Sequence, residues 1–240
     1  MRIGILQTGD APEELQQQHG NYSNMFIRLL GQNHADFEFE VYRVLDGQIP
    51  DDVNLNDGWL ITGSRFSAYG KQPWIPALKS FIRNIVDAGL PLVGICFGHQ
   101  IIAEALGGRV EKSDKGWGLG LDTYTLASGS PIDGKKQITL NIFHQDQIVK
   151  LPPGAEIYAS SDFCEYAGMV IGDQVLTIQA HPEFQADFNR QLLEVRKTSV
   201  IPEALAHRAI EELNEQDAQQ DSNRYGANIS EFFKAHRIAF

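Results

Sequence analysis

In the first half of the chain, apolar residues alternate between strand-like runs and helix-period stripes. Residues 2–7 form an apolar strand that breaks at Thr8-Gly9-Asp10. The next segment, Ala11 to Gly20, has no apolar period and reads as a polar loop over the carboxyl edge of the sheet. Tyr22, Met25, Phe26, Leu29 and Leu30 then recur at helical spacing. Phe37, Phe39 and Val41 alternate with Glu38 and Glu40, which predicts a second strand. A third, Gly58-Trp59-Leu60-Ile61, stops at Thr62-Gly63-Ser64. Between Pro73 and Asp87 the apolar positions 74, 78, 81, 82, 85 and 86 share one helix face, and Pro73 and Pro76 suit its first turn. The run from Pro91 to Ile95 is a fourth strand, followed by a helix with a stripe of Ile101, Ile102, Ala105 and Leu106 that Gly107-Gly108 ends. Strands alternating with helices predict a parallel sheet covered on both faces.

The pattern changes after Gly116. Up to Ala180 there are several short strands and no helical period, with turns at Ser128-Gly129, Asp133-Gly134, Pro152-Pro153-Gly154 and Gly172-Asp173. The last apolar run, Val175 to Ala180, leads into His181-Pro182-Glu183-Phe184. Residues 185–240 read as helical: one helix carries Phe188, Leu192 and Leu193, and Pro202 opens another through Leu205, Ile210 and Leu213. A final helix holds Ile229, Phe232 and Phe233. Six acids against the single Arg208 between Glu203 and Asp221 mark a solvated face and acidic linker. The expected organisation is a domain over residues 1–195 with a helical extension, 196–240, packed on it.

Composition narrows the setting. A chain of 240 residues, 42% hydrophobic and 21% charged, can bury a substantial core. A net charge of −11 argues against a nucleic-acid partner, because phosphate backbones need clustered Lys and Arg. No apolar run reaches membrane-spanning length, and the amino terminus reads as a strand rather than a signal peptide. The expectation is a cytoplasmic protein whose two cysteines, Cys96 and Cys164, are reduced. No histidine or cysteine pair has ligand spacing, so neither a metal nor another cofactor is expected.

The candidate chemistry begins at Gly94-Ile95-Cys96-Phe97-Gly98. A buried strand, a sharp turn and an immediate helix make a nucleophile elbow. The two glycines allow strand and helix to approach while the residue between them takes a strained backbone conformation. The helix start aims free amides and a positive dipole end at the sulfur, which favours thiolate. A thiolate needs a base, and the base needs an orienting carboxylate. Of seven histidines (His19, His34, His99, His144, His181, His207 and His236), His181 is best placed, because it ends a buried strand at the edge where the elbow lies. Pro182 keeps it out of helical backbone, and in extended backbone Glu183 points to the same side as His181. Taken alone, the His-Pro-Glu run is equally a strand-to-helix turn with Glu183 at the helix dipole; the upstream elbow favours the catalytic reading. His99, in the first turn of the elbow helix, either raises local positive potential or lines the site.

The order Cys, His, Glu differs from the Ser, Asp, His order of α/β-hydrolases. Residues 91–100, Pro-Leu-Val-Gly-Ile-Cys-Phe-Gly-His-Gln, together with Gln179-Ala-His-Pro-Glu-Phe184, resemble the class I glutamine amidotransferases with a Cys-His-Glu triad. The likeness runs over roughly residues 1–195 in element order. Ile61-Thr-Gly-Ser64, Phe143-His-Gln-Asp-Gln-Ile148, Leu151-Pro-Pro-Gly-Ala155 and Ala159-Ser160-Ser161 resemble the stand-alone branch of GMP-synthase-like proteins and γ-glutamyl peptidases. The fold expected is α/β: a flavodoxin-like open, mostly parallel sheet with helices on both faces, a strand-rich second half and the helical extension.

The resemblance implies Cys96 as nucleophile, His181 as acid/base and Glu183 as its orienter. Backbone N–H groups of Phe97 and of the Gly63-Ser64 turn would hold the oxyanion. Many family members have a second glycine where Ser64 stands. Gln100 and the stretch with Phe143, His144 and Asp146 match positions that contact the substrate. For His144 and Asp146, a plain role as polar residues at a strand end is an equal reading. The implied reaction is hydrolysis of the γ-amide of glutamine, or of another γ-glutamyl amide, through a γ-glutamyl thioester. The 57 residues after Glu183 are too few for a synthetase domain, and the chain has no Gly-x-x-x-x-Gly-Lys-Ser/Thr loop. Ammonia would then pass to a synthetase partner subunit, or the protein is a free-standing hydrolase of γ-glutamyl peptides. A chaperone or deglycase of the DJ type fits less well, since that family lacks the His-Pro-Glu run. A non-catalytic binding subunit is disfavoured by the intact triad.

Overall fold

The computed structural model describes residues 1–32, 36–132, 135–216 and 218–236. The predicted turn at Asp133-Gly134 and the candidate His34 lie outside them. The first half alternates as the apolar pattern requires. It runs β1 (Arg2–Gln7), α1 (Glu13–His19), α2 (Tyr22–Gly31), β2 (Glu38–Arg43), β3 (Gly58–Ile61), α3 (Trp74–Asp87), β4 (Leu92–Ile95) and α4 (Phe97–Ala105). Seven strands follow: β5 (Arg109–Lys112), β6 (Gly118–Leu126), β7 (Gln137–His144), β8 (Asp146–Lys150), β9 (Ala155–Ser160), β10 (Gly168–Ile171) and β11 (Val175–Ile178). The chain closes with α5 (Ala186–Arg196), α6 (Glu203–Glu215) and α7 (Gln219–Ala235).

Among the described residues the main sheet has the order β2-β1-β3-β4-β11-β10-β9-β6-β7, with β5 and β8 forming a separate ribbon. The strands from β2 to β11 are parallel, and those from β11 outward to β7 pair antiparallel. This is the flavodoxin-like open sheet expected from the sequence, with the strand-rich second half added as an antiparallel wing. β11 is the last strand in sequence, yet it inserts beside β4, with Val175 opposite Leu92 and Ile178 opposite Ile95. That register brings the ends of both strands to one edge.

Both faces of the sheet are covered. On one, Ile3, Ile5, Val93 and Ile95 pack with Phe26, Leu29 and Leu30 of α2 and with Tyr225, Ile229 and Phe233 of α7. On the other, Leu6, Trp59, Ile61 and Leu92 meet Leu78, Phe81, Ile82 and Ile85 of α3 and Ile101 and Ile102 of α4. At about 25 cal/mol per Å² of apolar surface, such layers supply most of the favourable free energy of folding. A smaller cluster joins Ala206, Ala209 and Leu213 of α6 to Leu121 of β6 and Leu193 of α5.

The structure corrects one element. The segment read as a polar loop over Ala11 to Gly20 contains α1. Pro12 precedes it, Glu13 and Glu14 occupy the first turn, and three glutamines, good helix formers, fill its centre. Only Leu15 and His19 are buried, so no periodic stripe announces the helix. Leu15 fastens it into a cluster with Ala11, Met25, Phe184, Phe188 and Leu192.

Candidate active site

Cys96 sits in the turn between β4 and α4 with φ 53° and ψ −103°, a left-handed strained conformation for a residue with a side chain. The glycines on either side explain why the turn closes. A Cβ on Gly94 would lie 2.5 Å from Ile102 Cδ1 and 2.7 Å from the Gly98 carbonyl carbon. One on Gly98 would collide with the Ile61 carbonyl. The Cys96 amide donates to the Ile178 carbonyl at 2.8 Å, tying the elbow to the strand that leads into His181. Cys96 is a free, buried thiol. The N–H of Phe97, first residue of α4, has no intrahelical acceptor.

His181 lies three residues beyond the end of β11 and is held by backbone. Its amide donates to the Asn141 carbonyl at 2.8 Å, while Asn141 Nδ2 donates to the Phe184 carbonyl at 3.0 Å. Asn189 Nδ2 in turn donates to Asn141 Oδ1 at 3.0 Å and to the Gly120 carbonyl at 3.1 Å. The imidazole stacks on Phe184, with centroids 4.0 Å apart and planes 10° from parallel. Its Nδ1–H donates to Glu183 Oε1 at 2.7 Å, both side chains being buried. Burial opposes a charge on this ring, but the Cys96 sulfur and the Glu183 carboxylate outweigh it and raise its pKa to about 10.

Gly63 lies between the Cys96 and His181 side chains. A Cβ there would be 2.9 Å from His181 Cε1 and 3.8 Å from Cys96 Cβ. The turn it belongs to is pinned from below: Thr8 N donates to Thr62 Oγ1 at 3.0 Å, and Ser64 Oγ donates to the Thr8 carbonyl at 2.6 Å. Ser64 therefore carries a structural bond that a second glycine would lack.

A cleft of about 580 Å³ opens over these residues. Cys96, Ser64, Gln100, Phe143, His144, Asp146 and His181 all line it, so the structure gathers the sequence candidates at one edge. Gln100 has both donors engaged: Nε2 donates to the Asp146 carbonyl at 2.8 Å and to Gln179 Oε1 at 3.0 Å. The same Asp146 carbonyl accepts from His144 Nδ1 at 3.2 Å. Burial pushes His144 down to about 3, so it is neutral and its buried Nε2 is an acceptor without a partner. His99 is not in the cleft. It lies fully buried between the Thr177 hydroxyl at 2.7 Å and the Tyr166 carbonyl at 2.9 Å, and burial lowers it to about 4. It is uncharged near neutrality and supplies no positive potential, contrary to that reading of its position. Cys164 is buried among apolar side chains and pushed up to about 12, chiefly by burial.

Sequence reasoning missed the Asn141–Asn189 clamp, the Phe184 stacking surface and the far wall of the cleft. That wall carries Tyr22, Phe184, Leu192, Arg196 and Val200. Among the described residues no group of His, Cys, Asp and Glu is arranged to hold a metal, and no helix is long and apolar enough to cross a membrane.

A family model described as glutamine amidotransferase class-I matches residues 21–196. Gamma-glutamyl peptidase 3 of Arabidopsis thaliana is 31% identical over 200 residues, covering 79% of each chain. A subunit of the glutamine-hydrolyzing GMP synthase of Halobacterium salinarum is 34% identical over 170 residues, 69% of this chain and 85% of that one. In fold, the crystal structure of a glutamine amido transferase from Methylobacillus flagellatus superposes with a TM-score of 0.80 at 22% identity, covering 98% of this chain and 94% of the other.

Proposed function

The chain belongs to the class-I glutamine amidotransferase family, and from that premise we propose that it hydrolyses γ-glutamyl amides through a thioester on Cys96. The observation that carries the reading is the strained Cys96 beside a buried His181 whose Nδ1–H is held by Glu183 at 2.7 Å. The sulfur attacks the γ-carbonyl carbon and forms a C–S bond. The oxyanion meets the N–H groups of Phe97 and of the Gly63-Ser64 turn. His181 gives its proton to the nitrogen as the C–N bond breaks, so the amine leaves neutral. Water then loses a proton to His181, attacks the thioester carbon and releases glutamate as the C–S bond opens. The side chains at 143–146, braced by Gln100, receive the α-amino and α-carboxylate groups of the donor.

A second reading concerns what leaves. The H. salinarum relative, named as one subunit of a synthase, favours ammonia passed to a synthetase partner. The cleft favours a larger amine. Arg196 lines it half-buried, and its guanidinium has no hydrogen bond or ion pair among the described residues. Its helix neighbours do find acids: Arg190 lies 3.7 Å from Asp187, and Lys197 pairs with Glu194. A chain carrying eleven surplus negative charges leaves this guanidinium beside apolar Leu192 and Val200, which suits an amine bearing a carboxylate. The free-standing γ-glutamyl peptide hydrolase is therefore the form of the activity we favour, in keeping with the A. thaliana relative's name.

Turnover of glutamine and of a panel of γ-glutamyl dipeptides, with no partner added, tests both points. Cys96→Ala should lose at least about 10³-fold in kcat on every substrate. Dipeptides should exceed glutamine in kcat/KM. A Cys96→Ala protein with undiminished turnover would end the proposal, and glutamine preferred over all dipeptides would return the weight to the amidotransferase form.

A further inference from the structure

Glu183 uses one carboxylate oxygen on His181; the other, Oε2, is buried and has no partner in the protein. A buried carboxylate oxygen left bare is costly, so a partner is expected for it. Behind it lies a small cavity of about 20 Å³, lined by Glu183, Pro182, His19, Arg28, Gln185 and Asn223 among others. A single water needs roughly 10–15 Å³ of such space and two to four polar partners. His19 supplies the second polar clue. It is 7% exposed, and its Nε2 is also buried without a hydrogen bond. The nearest carboxylate, Asp187 Oδ2, stands 3.8 Å away, too far for a hydrogen bond. Asp187 Oδ2 already accepts from Gln18 Nε2 and Gln191 Nε2, both at 3.0 Å.

Packing fixes the His19 ring toward this cavity. It meets Phe188 edge-on at 5.3 Å, Phe188 meets Phe184 at 4.7 Å, and Phe184 stacks on His181. The Arg28 guanidinium donates to the His19 carbonyl and holds the end of α1 against α2. We propose that one ordered water occupies this cavity, accepting from His19 Nε2–H and donating to Glu183 Oε2, which makes His19 a positioning residue for the catalytic carboxylate. The water fixes the carboxylate plane, the carboxylate fixes the His181 tautomer, and His181 serves Cys96. This inference rests on the catalytic reading above.

The test pairs a structure with kinetics on the full chain. A high-resolution crystal structure should show a water within hydrogen-bond distance of both atoms; a dry cavity overturns the proposal whatever the enzyme catalyses. His19→Leu, which keeps bulk and loses the N–H, should lower kcat about tenfold with KM changed less than twofold. It should also move the alkaline limb of the pH–kcat profile to lower pH, as the loosened carboxylate holds the His181 proton less firmly. His19→Gln, which restores an N–H near the same place, should recover most of both effects. If His19→Leu leaves kcat and the limb unchanged, or His19→Gln is as damaged as His19→Leu, the positioning role is wrong. Those results are distinct from failure of the catalytic reading, which Cys96→Ala decides.

Discussion

Burial alone would strip His181 of its proton well below neutrality, and it is Cys96 and Glu183 that hold the charge on the ring up to about pH 10. In the proposed mechanism His181 is then protonated across the physiological range, and the alkaline limb belongs to it. Glu183→Gln removes one of the two anions. The limb in kcat/KM should move down from near pH 10 toward neutrality, with kcat reduced roughly 10³-fold; pH–rate profiles of the two proteins measure both. Linkage gives an independent check. The folded pKa lies above the reference 6.5. The stabilisation from this charge is therefore fully present below about pH 6.5 and lost as pH rises through about 10. Between those limits the wild-type Tm should fall more steeply than that of Glu183→Gln. Equal slopes would mean that Glu183 does not hold the proton.

At the scale of elements, legibility followed the range of the interactions. β3, β4 and α4 were readable because their signals are local: a four-residue apolar run, paired glycines and a 3.6-period stripe. α1 was not, since one buried leucine among glutamines makes no pattern, and tertiary anchoring to Phe184, Phe188 and Leu192 decides it. The His181–Phe184 turn was located by sequence, but its clamp was not. Asn141 and Asn189 are ordinary residues until β7 and α5 are brought together. Of the cleft's candidates, Cys96 and His181 were legible because each follows a buried strand, while Gln100 and the 143–146 stretch came from the family resemblance; Arg196, at the end of a helix, carried neither signal. The contact of α2 with α7 hides a similar long-range demand. A Cβ at Gly226 would lie 2.6 Å from Leu29 Cδ1 and 2.7 Å from its Cγ. Gly226→Val should cost about 1–3 kcal/mol in denaturant unfolding by overpacking. Hydrolysis by the protein that remains folded should be unaffected; unchanged stability would show that the two helices part easily.

For the whole molecule, the last two helices are part of the body they lie on. Tyr225, Ile229 and Phe233 belong to the same apolar layer as β1 and α2, and the Tyr225 hydroxyl meets that of Tyr158 at 2.5 Å. Lys135 pairs with Asp221, whose Oδ2 also accepts from Thr139 N at 2.9 Å. A chain ended at residue 202 should lose cooperative thermal unfolding and expose apolar surface to a hydrophobic dye. A sharp transition at the wild-type Tm would show that the helices add nothing to the core. The placement of β11 beside β4 has a further consequence during synthesis. Until the ribosome has released residues 175–178, β4, the strand that leads into Cys96, has β3 on one side and an open edge on the other. A nascent chain thus carries the proposed nucleophile without its proposed base, and an adhesive edge without its cover. Chaperone demand should peak in that interval and end when β11 docks, the same event that brings His181 to the sulfur.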